Sequence, residues 1–417
     1  MKKNTVPAMN LARPETMDTL EEIAREGARR LLDIALKLEV QEHLDKYSKL
    51  LDEQGRRQVV RNGYHDERAI LTGLGPIPIK QPRVDDRILE SIDKERFTSA
   101  ILPKFMRRSA SIDTLLPILY LKGISTDDFP CALEAILGPA AKGMSSSTIV
   151  RLKESWTDDY NKWSKRSLTN KHYVYMWVDG VYCNARLEDE RSCLLVVMGA
   201  DQYGVKELIA VSDGVRESEQ SWTEIFLDLR SRGLEKAPKI AVCDGALGFQ
   251  SAISKVWPQT KIQRCWFHKT GNILNKLPTT LQAKAKVMIH NMYLSPTRED
   301  ALKAYDLFVA SFSDKYPQAV TCLEKDKDDL FNFYDFPAVH WVHLRTSNPI
   351  ESTFATVRLR HRKTKGNGTR AATLAMVFKL CQEAEKGWRK LRGYEKIQLV
   401  VAGKKFVNGE QVDESAA

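Results

Sequence analysis

Three acidic residues stand where chemistry could be done: Asp179 in VYMWVDG, Asp244 in IAVCDGALG and Glu351 in TSNPIESTF. Each aspartate closes an apolar, β-branched run at an Asp-Gly pair, and the glutamate opens a strongly basic helical stretch. Carboxylates so far apart in sequence meet only through a folded core. Once together they repel, by about 4 kcal/mol per pair at roughly 4 Å in a surface-like dielectric. A divalent cation removes that repulsion most directly. Oxygen-only ligands favour Mg2+ or Mn2+, and two such ions can activate water and steady a departing phosphate oxygen. The chemistry implied is that of a metal-dependent enzyme acting on nucleic acid.

Each motif has a plainer reading. An Asp-Gly pair is commonly a turn, and Asp213-Gly214 in AVSDGVRE reads as one. Asp201, after the run ending Met198-Gly199-Ala200, is the competing carboxylate. Asn348-Pro349-Ile350-Glu351 matches a capping box, with Asn as N-cap, Pro at the first helical position and Glu at the third. The rest of that helix argues for more. Ile350, Phe354 and Val357 form a stripe to bury, while Arg358 and Arg362 follow Glu351 along another face. From Arg345 to Arg370 seven Lys/Arg residues surround one acid, Glu351. That field favours the charged carboxylate, and Arg358, Arg360, Arg362 and Lys363 could hold phosphates beside the metals. Cys265-x-x-His268 in QRCWFH is half of a tetrahedral zinc set that His340 and His343 could complete. A hydrogen-bonded structural pair and a DNA-contacting turn are the other readings of it.

The chain that must position these groups has 417 residues, enough for about three domains. Lys plus Arg outnumber Asp plus Glu 64 to 54, and a net charge of +10 suits an anionic polymer as partner. The seven cysteines are odd in number and scattered, several in apolar runs, which favours a reducing cytoplasm. No apolar signal-peptide core follows Met1-Lys2-Lys3, and no stretch approaches a membrane span.

Residues 1–100 predict a helix from Met17 to about Tyr47, with Leu20, Ile23, Leu31, Ile34, Ala35 and Leu38 as its apolar stripe. Short strands or a hairpin follow, because Pro76, Pro78 and Pro82 exclude both helix and central strand. Residues 101–165 read as a compact helical unit. Ile112, Leu115, Leu116 and Leu119 mark its first helix, Ser125-Thr126-Asp127-Asp128 begins a second, and Ser145 to Thr148 cap a third. On the third, Ile149, Leu152 and Trp156 share a face while Arg151 and Lys153 project elsewhere. That is the pattern of a helix-turn-helix whose last helix enters the major groove, with an ordinary helical bundle as the alternative.

From residue 166 to 268 the period becomes that of strands, in the order βββαβαβ. A mixed sheet with helices on its faces is expected. The order resembles a ribonuclease-H-like fold, in which an acid on the first strand sits beside one following the fourth. Asp179 and Asp244 take those positions. A helical insertion is expected over 269–345, the final helices of the core carrying Glu351 over 346–400, and a tail over 401–417 whose end, GEQVDESAA, is expected to be disordered.

Several blocks together resemble the Mutator-type transposases of bacterial insertion sequences, from about Arg56 to Trp388. They are Arg-Asn-Gly-Tyr at 61–64 with Thr72-Gly73 and Pro82-Arg83, then Tyr120-x-x-Gly123-x-Ser125-Thr126. The long block DGALGFQSAISKVWPQTKIQRCWFHKTGNIL is the most specific, followed by TSNPIESTFATVRLRHRKTKG. The resemblance implies that Asp179, Asp244 and Glu351 are the catalytic, metal-holding triad and that Cys265 and His268 are the family's Cys-x-x-His element. It implies a transposase that binds the terminal inverted repeats of its own mobile DNA. Two Mg2+ or Mn2+ ions would serve to cut a strand, and the freed 3′-hydroxyl would then be joined to target DNA. Double-stranded DNA is the partner, met as a homodimer or larger assembly. Residues 101–165, with Arg151 and Lys153, would recognise the ends. One position departs from the family pattern: Pro130 falls where a helix former is usual, and an interior proline costs about 3 kcal/mol. A nuclease or resolvase without strand transfer, and a non-catalytic DNA-binding derivative, are the rival functions.

Overall fold

The computed structural model describes residues 15–124, 128–138, 146–183, 192–214, 216–364 and 369–412. It comprises two compact units, Met1–Ile149 and Val150–Ala417.

The first unit contains α1 (Glu15–Lys46), β1 (Val60–Tyr64), β2 (Arg68–Thr72), β3 (Gly75–Ile79), β4 (Pro82–Asp85), α2 (Ile88–Ser91), α3 (Ala110–Leu121) and α4 (Phe129–Leu137). β1 pairs with β4 and β2 with β3, both antiparallel. β3 carries Pro76 and Pro78. A two-stranded ribbon accommodates them because each strand keeps one unpaired edge. α1 lays Leu36 against Ile70, Ile77 and Ile79, and Val40 and Leu44 against Val59 and Leu89. The stripe selected by periodicity is a different one: Leu20, Ile23, Leu31, Ile34 and Leu38 are 54–70% exposed. The helix therefore carries two apolar faces, and only one of them packs within this unit. α4 begins at Phe129 and takes Pro130 in its first turn. The missing amide would have had no helical acceptor there, so the expected interior cost does not arise. Residues 125–127, the expected start of that helix, lie outside the described residues. An interior proline does occur in α3, at Pro117.

The second unit opens within α5 (Ser146–Ser164) and continues through β5 (Tyr173–Cys183), β6 (Ser192–Asp201), β7 (Lys206–Gly214), α6 (Glu219–Ser231), β8 (Ile240–Cys243), α7 (Leu247–Val256) and β9 (Lys261–Arg264). Six helices follow: α8 (Trp266–Leu274), α9 (Thr279–Leu294), α10 (Arg298–Phe312), α11 (Pro317–Glu324), α12 (Lys327–Leu330) and α13 (Trp341–Leu344). α14 (Asn348–Thr364), α15 (Arg370–Glu385), α16 (Ile397–Val401) and the ribbon β10 (Phe406–Val407) and β11 (Glu410–Gln411) complete it.

The sheet order is β7-β6-β5-β8-β9. β5, β6 and β7 are antiparallel neighbours, whereas β8 and β9 join β5 in parallel. The fold is mixed α/β around a five-stranded mixed sheet. β5 is nearly all apolar because both faces are covered. Met176 and Val178 pack with Trp222, Ile225 and Phe226 of α6 and Phe249 and Ile253 of α7. On the other face Tyr175 Oη lies 2.7 Å from His340 Nδ1, and Trp177 Nε1 donates to the His343 carbonyl at 2.8 Å. α14 packs against β5 and α15 against β7.

The second half of α5 covers the β7 edge. Tyr160 donates its hydroxyl proton to the Val211 carbonyl at 2.8 Å, and the Tyr160 and Trp163 rings meet Phe378 of α15 at 5.5 and 4.8 Å. The seven cysteines are free thiols. Among the described residues no helix is long and apolar enough to cross a membrane.

Candidate active site

Asp179 lies inside β5, which runs on through Gly180 to Cys183, so this Asp-Gly pair is neither a turn nor a strand end. Trp177 of β5 is in register with Val242 of parallel β8. Two residues further along stand Asp179, still within β5, and Asp244, the first residue past the end of β8; neighbouring strands run roughly 4.8 Å apart. β8 stops at Cys243, and the chain turns into α7 through Gly245, whose φ of +96° suits glycine. The Ala246 amide donates to Asp244 Oδ1 at 3.0 Å, and the Gly180 amide to Asp179 Oδ1 at 2.8 Å. Asp179 is only 8% exposed. Burial first, and the Asp244 charge second, push its carboxyl from 3.8 up to about 7.

Glu351 arrives on α14. The Ile350 and Glu351 amides both donate to the Ser347 carbonyl, at 2.9 and 3.0 Å, so the helix is capped at Ser347 rather than at Asn348. The reciprocal bond of a capping box is not made, since the Asn348 amide faces Thr346 Oγ1 at 3.4 Å. Glu351 Oε1 instead accepts from the Ser347 hydroxyl at 2.6 Å and lies 3.6 Å from His268 Nε2. Buried Ile350, Phe354 and Val357 anchor the helix beneath it.

The Cys-x-x-His element belongs to the same place. Potential ligand atoms of Cys265, His268 and Glu351 all lie within 4.8 Å of one another, and the Ser347 amide donates to Cys265 Sγ at 3.3 Å. A hydrogen bond with Cys265 is the main reason the His268 imidazole rises to about 9, and the charges of Glu351 and Asp179 add to it. Burial would raise the Cys265 thiol, but hydrogen bonds with His268 and Ser347 outweigh that and lower it. His268 therefore senses both Glu351 and Asp179. His340 and His343 are engaged elsewhere. His340 Nε2 is 2.8 Å from the Gly393 carbonyl, and His343 Nε2 accepts from the Arg392 amide at 3.0 Å. Those bonds take both rings out of a four-ligand zinc set with Cys265.

Two other carboxylates near strand ends lie elsewhere. Asp201 is in register with Tyr173, at the far end of β5, where its Oδ1 accepts from the Tyr203 and Val205 amides at 2.8 Å. Asp213 is a strand residue in a two-bond pair with Arg370, at 2.8 and 3.0 Å, and not a turn. One acid that the sequence did not single out lies against Gly180, the residue after Asp179. Glu217, between β7 and α6, is pushed up to about 7 by burial and by the Asp244 charge. Its setting VRESEQ reads as a solvated charge run, and nothing in that string marks it out.

Of the basic residues, Arg358 and Arg362 are exposed on α14. Arg360 is 1% exposed. Two residues along a helix are about 200° apart in azimuth, which turns Arg360 inward with Val357 and removes it from the phosphate-contacting set. The Lys363 side chain lies outside the described residues. On α5, Arg151 is exposed and Lys153 half-buried.

The donor set fits a hard divalent ion. A buried carboxylate flanked by a second one, both presenting oxygen, is what Mg2+ or Mn2+ neutralises, whereas soft thiolate sites select other metals.

The chain belongs to the Mutator family of transposases, whose family model matches residues 1–391. It is an insertion-sequence transposase of that family, and its class implies phosphoryl transfer on DNA. It is 47% identical over 299 residues to the transposase for insertion sequence element IS6120 of Mycolicibacterium smegmatis, covering 72% of this chain and 92% of that one. It is 47% identical over 285 residues to the transposase for insertion sequence element IST2 of Acidithiobacillus ferrooxidans, covering 67% and 94%. Among solved structures it is similar to a Drosophila P element transposase strand transfer complex. That likeness has a TM-score of 0.30 and 10% identity over 78% of this chain and 86% of that one, too slight to argue from.

Proposed function

We propose that this transposase cuts and joins DNA in a single ribonuclease-H-like site in which Asp179, Asp244 and Glu351 hold two Mg2+ or Mn2+ ions. The observation that supports the reading is the parallel register of β5 with β8, which brings Asp179 and the residue just past β8, Asp244, to the same end of adjacent strands. The ions, when bound, supply an activated water and charge stabilisation at the departing oxygen. The protein's part is positional. Backbone pairing fixes the two aspartates, and Ser347 and His268 fix the Glu351 carboxylate. In-line attack by water would free a 3′-hydroxyl, and the same geometry would then aim that hydroxyl at a target phosphodiester.

The substrate is double-stranded DNA, first at the terminal inverted repeats and then at the target. Arg358 and Arg362 lie two and three turns beyond Glu351 on its own face, where a DNA backbone near the ions would run. Arg151 and Lys153 of α5, with the helices before it, are assigned to end recognition. Pairing two DNA ends needs at least two copies of the chain. The exposed apolar face of α1 is the surface assigned to that contact.

The test is labelled inverted-repeat DNA with Mg2+. Wild type should give cut and joined products. Asp179→Asn, Asp244→Asn and Glu351→Gln should each bind DNA yet lose cleavage by roughly 10³-fold or more, the scale of removing a principal electrostatic stabiliser. Glu351→Gln is the sharpest, because the Gln amide oxygen can still accept from Ser347. Near-normal cutting by that variant sinks Glu351 as a ligand, and cut products without joined ones would indicate a nuclease.

A further inference from the structure

We infer that Glu217 is a fourth carboxylate of this metal site, reaching the ions from the opposite face of the sheet. The inference rests on the triad proposed above. Three features of the backbone bring Glu217 there. Arg216, the residue before it, has φ +59°, a left-handed conformation that a non-glycine residue adopts only when its surroundings impose it. A β-carbon at Gly180 would lie 2.5 Å from Glu217 Oε1. A β-carbon at Gly248 would lie 2.6 Å from the Glu219 amide nitrogen and would also strike the Glu217 carbonyl. Gly180 directly follows Asp179, and Gly248 lies in the first turn of α7, just beyond Asp244. The two glycines are thus the walls of a slot through which residues 217–219 pass beside the aspartates.

Strand alternation says which way Glu217 comes. Asp179 projects from the face of β5 that α14 covers, so Gly180 belongs to the face packed on α6 and α7. Tyr182 lies on that same face, and its hydroxyl favours the charged Glu217 carboxylate. The Glu217 carboxyl fills the space that a Gly180 side chain would take, one residue along β5 from Asp179. β8 ends at Cys243, which leaves the sheet edge open at this point. A glutamate with no role but solubility needs neither a strained neighbour nor two cleared glycines. Held against like charges by the fold, its carboxylate gains a favourable partner when a hard divalent cation sits between them.

The experiment is Mn2+ titration of the full-length protein by calorimetry, for wild type, Glu217→Gln, Asp179→Asn and Gly180→Ala. Glu217→Gln, which keeps size and can still pair with Tyr182, is expected to weaken Mn2+ binding by about 10- to 100-fold. Gly180→Ala leaves every carboxylate in the chain but displaces Glu217, so it should weaken binding similarly. A protein carrying both Glu217→Gln and Gly180→Ala should bind no more weakly than either single variant. Wild-type affinity in Glu217→Gln, with binding lost in Asp179→Asn, would overturn the inference and leave Glu217 as the structural partner of Tyr182. Wild-type affinity in Asp179→Asn as well would overturn the triad itself.

Discussion

Asp179 is an acid held where ionisation is unfavourable, and that has a measurable consequence in the metal-free protein. Its carboxyl titrates near about 7 instead of 3.8, from burial first and Asp244 second. Between those values the folded state keeps a proton that the unfolded chain has released. Folded-state stability from this group is therefore complete below the unfolded value and lost as pH rises through the folded one. Glu217, also raised to about 7, acts in the same direction. With EDTA present, the melting temperature should fall between pH 5 and pH 8, Mn2+ should restore it at pH 8, and Asp179→Asn should flatten the fall. Scanning fluorimetry reads all three, and an unaltered pH slope in the variant would remove Asp179 from this role. The burial of Asp179 was legible in the sequence because it is a charge set in an apolar run, a local contradiction that burial must resolve. Glu217 was not, because what buries it is a slot between Gly180 and Gly248, distant residues whose meeting no local string encodes. Arg360 was misread for a simpler reason. A basic run looks uniform in sequence, but helical phase sends one member inward.

Helices and strands show the same division between pattern and neighbour. The apolar, β-branched runs of β5 to β8 were readable because turn residues bound each of them, and the interleaved α6 and α7 because each buries a face that its own spacing defines. Which neighbour claims a helix face was not. α5 carries the exposed Arg151 expected of a reading helix, yet Tyr160 and Trp163 fasten its second half to β7 and α15. A fragment ending near residue 165 would leave those rings without partners. α14 gives the prediction at this scale. Ile350, Phe354 and Val357 hold it in place, so Arg358→Ala with Arg362→Ala should leave the fold intact. Binding of any DNA sequence should weaken, and the slope of log affinity against log salt should shrink by about 0.9 for each phosphate no longer neutralised. Cleavage should fall further than binding, because a scissile phosphate misplaced by about 1 Å can lose ~10²-fold in rate. A wild-type salt slope together with a wild-type cleavage rate would mean that this face meets only solvent.

For the whole molecule, the problem is to bring two copies of a chain with net charge +10 together on DNA. Like charge of that size opposes association in low salt, so the contact must come from apolar burial. α1, a helix of 32 residues, offers it. Leu36, Val40 and Leu44 are committed to the strands of its own unit, whereas Leu20, Ile23, Leu31, Ile34 and Leu38 run exposed along another face. These residues keep to one helical face although Gly27 interrupts the run, and an exposed apolar helix face is buried most simply against another helix. Replacing Leu31 and Leu38 with Lys should convert a sedimenting dimer to a monomer at unchanged helix content, since the committed face is untouched. Salt separates this contact from DNA binding. Screening should strengthen the dimer while it weakens DNA association, so the two should respond to added chloride with opposite sign. In the Lys variant, cutting at a single end should persist while joined products, which need two ends held at once, disappear. A variant that sediments and joins as wild type does would show that the stripe is not the seam.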